Sequence, residues 1–403
     1  MKNLQRNRLR EGEEIEPMLP ASGAEGSTNK LPFLEQPHAM DTSSTVRGLV
    51  WYGGVLCLWA FVVGVLLLVV LGSGLRSLAA RGVYPPCWWL VSNLSAVQLA
   101  LATFVVPLNL ATESIGAWPF DGQLCRAWLL IRVLLIAESS WTVFAVTLDR
   151  FFRHVTPLSY ARCVRCRTLT FFAVAGTWGV AGVVAGVTAR SLTEEGEAEG
   201  PAVVLEEFCA TSLSFDHSLF ITLTSFAVPS ILVLVLLLAV AMAACSSRCA
   251  STTPVANEAT PSATLRGQSG LIYAAADDDA GPAWTSGTYS TASVGICFVL
   301  GWAPFFTVNI LIHICQGLVC VDPAVWTLFV WVGYSTAGLM PLCWFLDPWV
   351  RGQAYRLLQQ LHRHQSTAAA VSCSRRRKKS GNESVSSASD SSVSKKCSEV
   401  SFL

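Results

Sequence analysis

Seven apolar stretches, 49–72, 87–112, 127–148, 168–189, 218–244, 293–314 and 325–346, leave this chain with one solvent in which it can fold. Each holds about 22 to 27 residues, and an α-helix rising about 1.5 Å per residue needs about 20 to cross a hydrocarbon core about 30 Å thick. None of them alternates apolar with polar residues, which excludes a transmembrane β-barrel. With 52% hydrophobic and only 14% charged residues, the composition suits a bundle solvated by lipid rather than water. The reading is an all-α membrane protein, a seven-transmembrane helix bundle. The first stretch begins too late, and lacks a small-residue cleavage site, to be a removed signal peptide.

Basic residues beside the spans set the expected orientation. The segment 149–167 carries Arg150, Arg153, Arg162, Arg165 and Arg167, the first loop carries Arg76 and Arg81, and the tail carries Arg351, Arg356, Arg363 and the run Arg375 to Lys379. The opposite loops hold little beyond Arg126 and Arg190. By the positive-inside rule the C-terminus is cytoplasmic, and seven crossings place the N-terminus outside at the plasma membrane. A net charge of +1 gives no bulk attraction to nucleic acid.

The chain divides accordingly. Residues 1–48 read as a disordered extracellular N-terminus, 49–348 as the bundle with a flexible inner loop at 245–290, and 365–403 as a disordered Ser-rich cytoplasmic tail. Between bundle and tail, Val350, Ala354, Leu357, Leu358 and Leu361 recur at three- and four-residue steps. That spacing predicts a short amphipathic helix over 349–364 on the inner membrane surface. The fourteen cysteines form no disulfide framework and no paired Cys-x-x-Cys metal site, and no cofactor or metal is implied. Cys125, Cys209, Cys315 and Cys320 fall on the oxidising side, whereas Cys163, Cys166, Cys245, Cys249, Cys373 and Cys397 fall on the reducing side. Cys315 and Cys320, on one short outer loop, are read as a local bridge, with free thiols as the alternative.

Sequence motifs fall on these spans in a definite order. Pro107, Trp118-Pro119-Phe120 and Cys125 precede Asp149-Arg150-Phe151 and Pro157-Leu158-Ser159-Tyr160. Trp178, Phe226 and Pro229, Trp302-Ala303-Pro304-Phe305-Phe306, Asn309 and Trp331-Val332-Gly333-Tyr334 follow. Over roughly 49–362 this set resembles the rhodopsin-like (class A) G-protein-coupled receptors, and among them the biogenic-amine group. The resemblance implies a disulfide between Cys125 and Cys209. It also implies a ligand pocket near the outer third of the bundle, drawn from Ser225, Trp302, Phe305, Phe306, Asn309, Trp331 and Tyr334, with Arg132 and Glu113 read as members of the same pocket. Asp149, Arg150 and Phe151 would form a switch facing a heterotrimeric G protein. An aromatic box of this kind can hold a ligand ring or a cation. Packing alone is the plainer role for any one of these rings.

Departures from the resemblance bear on mechanism. Amine receptors anchor the ligand ammonium with an Asp two turns after the position of Cys125, and this chain has Arg132 there. Arg132 and Glu138 read as the fully ionic side chains inside the spans, where charge is costly and functional or paired. Two readings of Arg132 stand: it receives an acidic ligand group, or it is neutralised by a carboxylate such as Glu113 or by the acidic loop 190–217. The polar core of the family is altered as well, with Gln98 for its second-helix Asp, Met340 and Trp344 for the Asn and Tyr of its seventh helix, and Leu237 for its fifth-helix Tyr. An oxygen-lined cation site is therefore not expected. No acidic residue opens the sixth span and the inner loop is poor in basic residues, so coupling is expected to be atypical or weak.

These features favour a receptor not activated by an ordinary protonated amine. The alternative is a non-signalling receptor-fold scaffold or heteromer partner. A transporter or channel would need discontinuous helices or aligned ionic residues, and no enzyme motif is present. In the tail, serines beside Glu383, Asp390 and Glu399 suit phosphorylation and arrestin recognition. Cys373 ahead of the basic run suits palmitoylation. The terminal Ser401-Phe402-Leu403 resembles a ligand of PDZ domains.

Overall fold

The computed structural model describes residues 42–83, 85–155, 167–198, 209, 214–251, 284–314 and 322–380. Within the unit that begins at Thr45, seven helices are long and apolar enough to cross a membrane: Val50–Ala80, Pro86–Ile115, Gly122–Arg153, Thr168–Leu192, Phe215–Ala243, Gly287–Ile314 and Ala324–Leu346. They are called the first to seventh helices below. The second, third and seventh are the most enclosed, and the fourth and fifth the least. Exposed Leu, Val, Phe and Trp side chains on the outer faces are what lipid requires of a surface.

Several helices outrun the apolar stretches that betray them. The third helix was expected to end at 148 and runs over Gly122–Val155, because no Gly or Pro interrupts it before Pro157. Asp149 and Arg150 are therefore helical residues inside the bundle. Glu113 also lies within the second span, so Arg132 and Glu138 are not the full set of ionic groups in the spans. The helix expected over 349–364 after the seventh span is present and covers Pro348–Ser380 among the described residues. Asp322 caps the start of the seventh helix by accepting from the Ala324 N–H at 2.7 Å.

Two prolines explain two widened turns. A helical proline lacks an N–H and crowds the carbonyl four residues earlier. Ahead of Pro107 the chain opens into a π turn at Leu101–Val105, and ahead of Pro229 into another at Leu223–Ala227. Each turn lends a carbonyl to a tryptophan of the third helix. Trp128 Nε1 donates to the Val105 carbonyl at 3.1 Å, and Trp141 Nε1 donates to the Thr224 carbonyl at 3.0 Å. Pro304 and Pro341 sit inside helices that remain α-helical.

The main apolar cluster runs through the whole bundle and is anchored by Trp302, Trp331, Tyr334, Phe298 and Trp344, all fully buried. Sixth and seventh helices approach most closely at Gly301 and Gly333. A Cβ on Gly301 would overlap the Thr336 γ-methyl carbon, and one on Gly333 would stand 2.8 Å from the Trp302 ring. Cys125 and Cys209 are joined in a disulfide across 84 residues, which ties the segment before the fifth helix to the start of the third. Cys315 and Cys320 lie outside the described residues, as does Pro157-Leu158-Ser159-Tyr160.

Overpacking of a dense core costs about 1–3 kcal/mol. Gly301→Ala is therefore expected to lower the thermal unfolding midpoint of the purified protein in nanodiscs. Gly176→Ala, whose added Cβ meets nothing within 4 Å, is expected to leave it unchanged or slightly raised.

Candidate functional site

At the disulfide end of the bundle, the third, sixth and seventh helices turn an aromatic cluster toward one another. Trp302 makes edge contacts with Phe305 at 5.8 Å and with Tyr334 at 6.0 Å, and Trp331 meets Tyr334 at 5.9 Å. Phe306 lies against Phe305 at 5.2 Å and stacks on Phe226 at 4.9 Å. Trp326 and Tyr52 close the periphery through Phe305 and Trp331. Of the nine pocket residues suggested by sequence, the five aromatic ones are thus linked by ring contacts. Asn309 turns instead to Ser218 at 3.5 Å, alongside His313, and Ser225 is buried in the π turn with its hydroxyl unpartnered.

Arg132 enters this cluster from the third helix. Its guanidinium carbon stands 5.3 Å from the Trp128 ring centre and 5.7 Å from that of Phe305, a cation–π arrangement on two rings. Trp128 was not singled out by motif, although its place one helical turn before Arg132 puts both on one face. Among the described side chains no carboxylate lies within ion-pair distance of Arg132. The expected partner Glu113 is engaged elsewhere. Its Oε1 accepts from Asn109 Nδ2 at 2.8 Å and its Oε2 from Trp331 Nε1 at 2.9 Å, so both oxygens serve donors on the second and seventh helices. The Tyr334 hydroxyl is buried and has no partner in hydrogen-bond geometry. In the acidic segment 190–217, Glu199, Glu206 and Glu207 lie outside the described residues, and the side chains of Glu194, Glu195 and Glu197 are not described.

Glu138, the other charge expected in the third span, has a different role. It is fully buried, and its Oε1 accepts from Asn93 Nδ2 at 2.6 Å, Thr177 Oγ1 at 2.8 Å and Thr142 Oγ1 at 2.9 Å. Asn93 in turn accepts from Trp178 Nε1 at 2.9 Å. This network joins the second, third and fourth helices away from the pocket. Gln98 Nε2 points to Met340 Sδ at 3.2 Å and Ser139 Oγ at 3.4 Å. An amide N–H facing a thioether is a poor cradle for a hard cation.

The opposite end holds Arg150 and Asp149, both buried, with Phe151 half-buried. Arg150 Nη2 meets Asp347 Oδ2 at 3.4 Å, with the two side chains 6% and 4% exposed. The same oxygen accepts from Ser290 Oγ at 3.4 Å, while Asp347 Oδ1 caps the final helix by accepting from the Trp349 N–H at 2.9 Å. The guanidinium carbon also lies 5.3 Å from the Trp88 ring, which stacks on Trp349 at 4.2 Å. Asp347 is the residue that motif reading missed; its signal was an Asp directly before Pro348, the pattern of a helix N-cap. Cys373 lies in the described final helix, but its side chain is not described.

These helices carry the motif order on one bundle. A family model described as 7 transmembrane receptor (rhodopsin family) matches residues 68–344. The chain belongs to the rhodopsin family of seven-transmembrane receptors. Among its relatives, a 5-hydroxytryptamine receptor 5B of Mus musculus is 29% identical over 63% of this chain and 70% of its own length. A 5-hydroxytryptamine receptor 5A of Rattus norvegicus is 27% identical over 63% of this chain and 72% of its own length. A D(1) dopamine receptor of Carassius auratus is 24% identical, covering 62% and 73%. This receptor is accordingly a multi-pass membrane protein of the amine-receptor type and not an enzyme.

The network geometry separates the two charges of the third helix experimentally. Removing a buried acceptor costs about 1–3 kcal/mol through the donors it strands. Glu138→Ala is expected to lower the unfolding midpoint clearly, because it strands Asn93, Thr142 and Thr177. Arg132→Met strands no described carboxylate and is expected to stay within about 1 kcal/mol of wild type. Thermal unfolding of both variants in nanodiscs measures the contrast.

Proposed function

We propose that this receptor admits a ligand carrying an acidic group at the disulfide end of the bundle, and that its coupling to a heterotrimeric G protein is restrained. The observation that carries the first part is Arg132, half-buried on the faces of Trp128 and Phe305 with no described carboxylate to pair with. A guanidinium presents parallel N–H donors matched to a carboxylate or phosphate, and binding one there would be strengthened by the low dielectric. The relatives are named for 5-hydroxytryptamine and dopamine, both amines. An ammonium placed about 4 Å from Arg132 would be repelled by about 4 kcal/mol at an effective dielectric of about 20. An ordinary protonated amine is thus a poor agonist, and the aromatic cluster would hold the ligand's ring.

Restrained coupling rests on the Asp347 contact. An arginine that must meet a transducer is here buried against a carboxylate, Ser290 and Trp88. A Cβ on Gly287 would come within 2.8 Å of Arg150 Nη1, so the sixth helix also closes over it. The same enclosure is compatible with a scaffold or heteromer partner that signals little. In the orientation proposed here, with the N-terminus outside, the Arg150 end faces the cytoplasm. There the tail would meet arrestin through phosphorylated serines, a PDZ domain through Ser401 to Leu403, and the inner leaflet through lipidated Cys373.

Two assays test these readings. In a second-messenger screen of matched acids and amines, agonists of wild type should be acids, and Arg132→Ala should lose the response at least tenfold while reaching the cell surface. Amine agonists that act equally on Arg132→Ala would sink the anion reading. Asp347→Asn keeps an oxygen to cap Trp349 but removes the charge facing Arg150. It should raise basal second-messenger output several-fold, and an added Arg150→Ala should abolish that rise. Unchanged basal output in Asp347→Asn would remove the restraint from the account.

A further inference from the structure

The aromatic cluster carries a charge at each end, and the two are opposite in sign. At one end Arg132 lies on the Trp128 and Phe305 rings. At the other, Glu113 Oε2 accepts from Trp331 Nε1 at 2.9 Å and its Oε1 from Asn109 Nδ2 at 2.8 Å. Rings run without a break between the two ends: Phe305 meets Trp302 at 5.8 Å, Trp302 meets Tyr334 at 6.0 Å, and Tyr334 meets Trp331 at 5.9 Å. Both donors to Glu113 are neutral N–H groups, so they occupy one lone pair on each oxygen without cancelling the charge. Among the described side chains no Lys, Arg or His lies within ion-pair distance of Glu113, and Arg132 is itself farther away than that. Glu113 is half-buried in the last turn of the second helix, which ends at Ile115 on the disulfide side. Tyr334, which joins the two halves of the cluster, is fully buried with its hydroxyl unpartnered. Ionic groups inside a membrane bundle are costly and are functional or paired. Here two of them, of opposite sign, flank one set of rings.

We propose that the pocket takes a zwitterion, a ligand with a ring, an acidic group that meets Arg132 and an ammonium that meets Glu113. This rests on the acid-binding reading of Arg132 and extends it to the other end of the ligand. The ammonium donates to the lone pairs of Glu113 that Trp331 and Asn109 leave free, a charge-assisted bond in a site poor in water. Trp331 and Tyr52, in edge contact at 6.0 Å, add π density beside it. The length of the ligand ring keeps the ammonium away from the guanidinium, so the repulsion met by an amine-only ligand falls while the attraction to Glu113 is gained. Selection is then for a pair of charges. An amine alone offers nothing to Arg132, and an acid alone leaves Glu113 unmatched. Because Arg132 and Glu113 flank the rings and do not touch, the two charged groups belong at opposite ends of the ligand ring. An α-amino acid, with both on one carbon, satisfies one end only.

The test uses the full-length receptor in lipid nanodiscs and three probes built on one ring. They are 4-(aminomethyl)benzoate, which carries both charges, 4-methylbenzoate, which keeps only the acid, and 4-methylbenzylammonium, which keeps only the amine. Calorimetric titration of wild type should rank the zwitterion at least tenfold tighter than 4-methylbenzoate, with the amine weakest. In Glu113→Gln that advantage should disappear, leaving the zwitterion and 4-methylbenzoate within about twofold of each other. The ratio is read on one preparation, so a lower yield of folded variant does not alter it. A wild type that binds 4-methylbenzoate through Arg132 but the zwitterion no more tightly would overturn the proposal and leave the acid reading standing. So would an advantage of the zwitterion that survives in Glu113→Gln. Affinity for 4-methylbenzoate that is unchanged in Arg132→Ala would instead remove the acid reading, and the paired one with it.

Discussion

Lipid offers no hydrogen bonds, so each polar group along these seven helices has to be answered from within the bundle. The consequences can be followed residue by residue. Carbonyls in the widened turns before Pro107 and Pro229 are met by the indole N–H groups of Trp128 and Trp141. Glu138 is met by an amide and two hydroxyls from three helices, and Glu113 by Asn109 and Trp331. Arg150 is met by Asp347. Third-helix side chains take part in most of these contacts, which makes that helix the organising strut.

The answer is incomplete at some described groups, among them Ser225 Oγ and Glu138 Oε2, and Arg132 is met in a different way. Its charge is met by π faces and not by a described carboxylate, and aromatic faces offset only part of the cost of holding a cation away from water. A group left partly answered at the open end of a bundle is a place where an outside molecule can complete the set. The resemblance to amine receptors implies an Asp at this position, so in the proposed reading one change of side chain reverses the sign of the pocket while its aromatic walls persist. The fold belongs to the family, whereas the proposed ligand charge is set locally.

Most of the architecture was legible in the sequence because apolar length is a direct reading of bilayer thickness. Helix ends were less legible. Hydropathy reports where lipid stops, but the third and last helices run on past the apolar stretch, to at least Val155 and Ser380. The rings of the aromatic cluster were legible as motifs, Trp302 to Phe306 on the sixth helix and Trp331 to Tyr334 on the seventh. Partnerships across helices were not. Nothing local in the sequence says that Glu113 turns to Trp331, 218 residues away, and not to Arg132, or that Asp347 faces Arg150 across 197 residues. Those choices depend on helix rotation and packing, which periodicity leaves undetermined.

The central claim is the sign of the pocket, and a pair of small molecules with one ring and opposite charges reads it directly. Indole-3-propionate and tryptamine share the indole of 5-hydroxytryptamine, one ending in a carboxylate and the other in an ammonium. Isothermal calorimetry or thermal shift of the wild-type receptor in nanodiscs, run with each compound at equal concentration and repeated at raised salt, compares them. The account predicts that the carboxylate binds and stabilises, that raised salt weakens the effect, and that tryptamine does neither. Stabilisation by tryptamine with none by indole-3-propionate would contradict it.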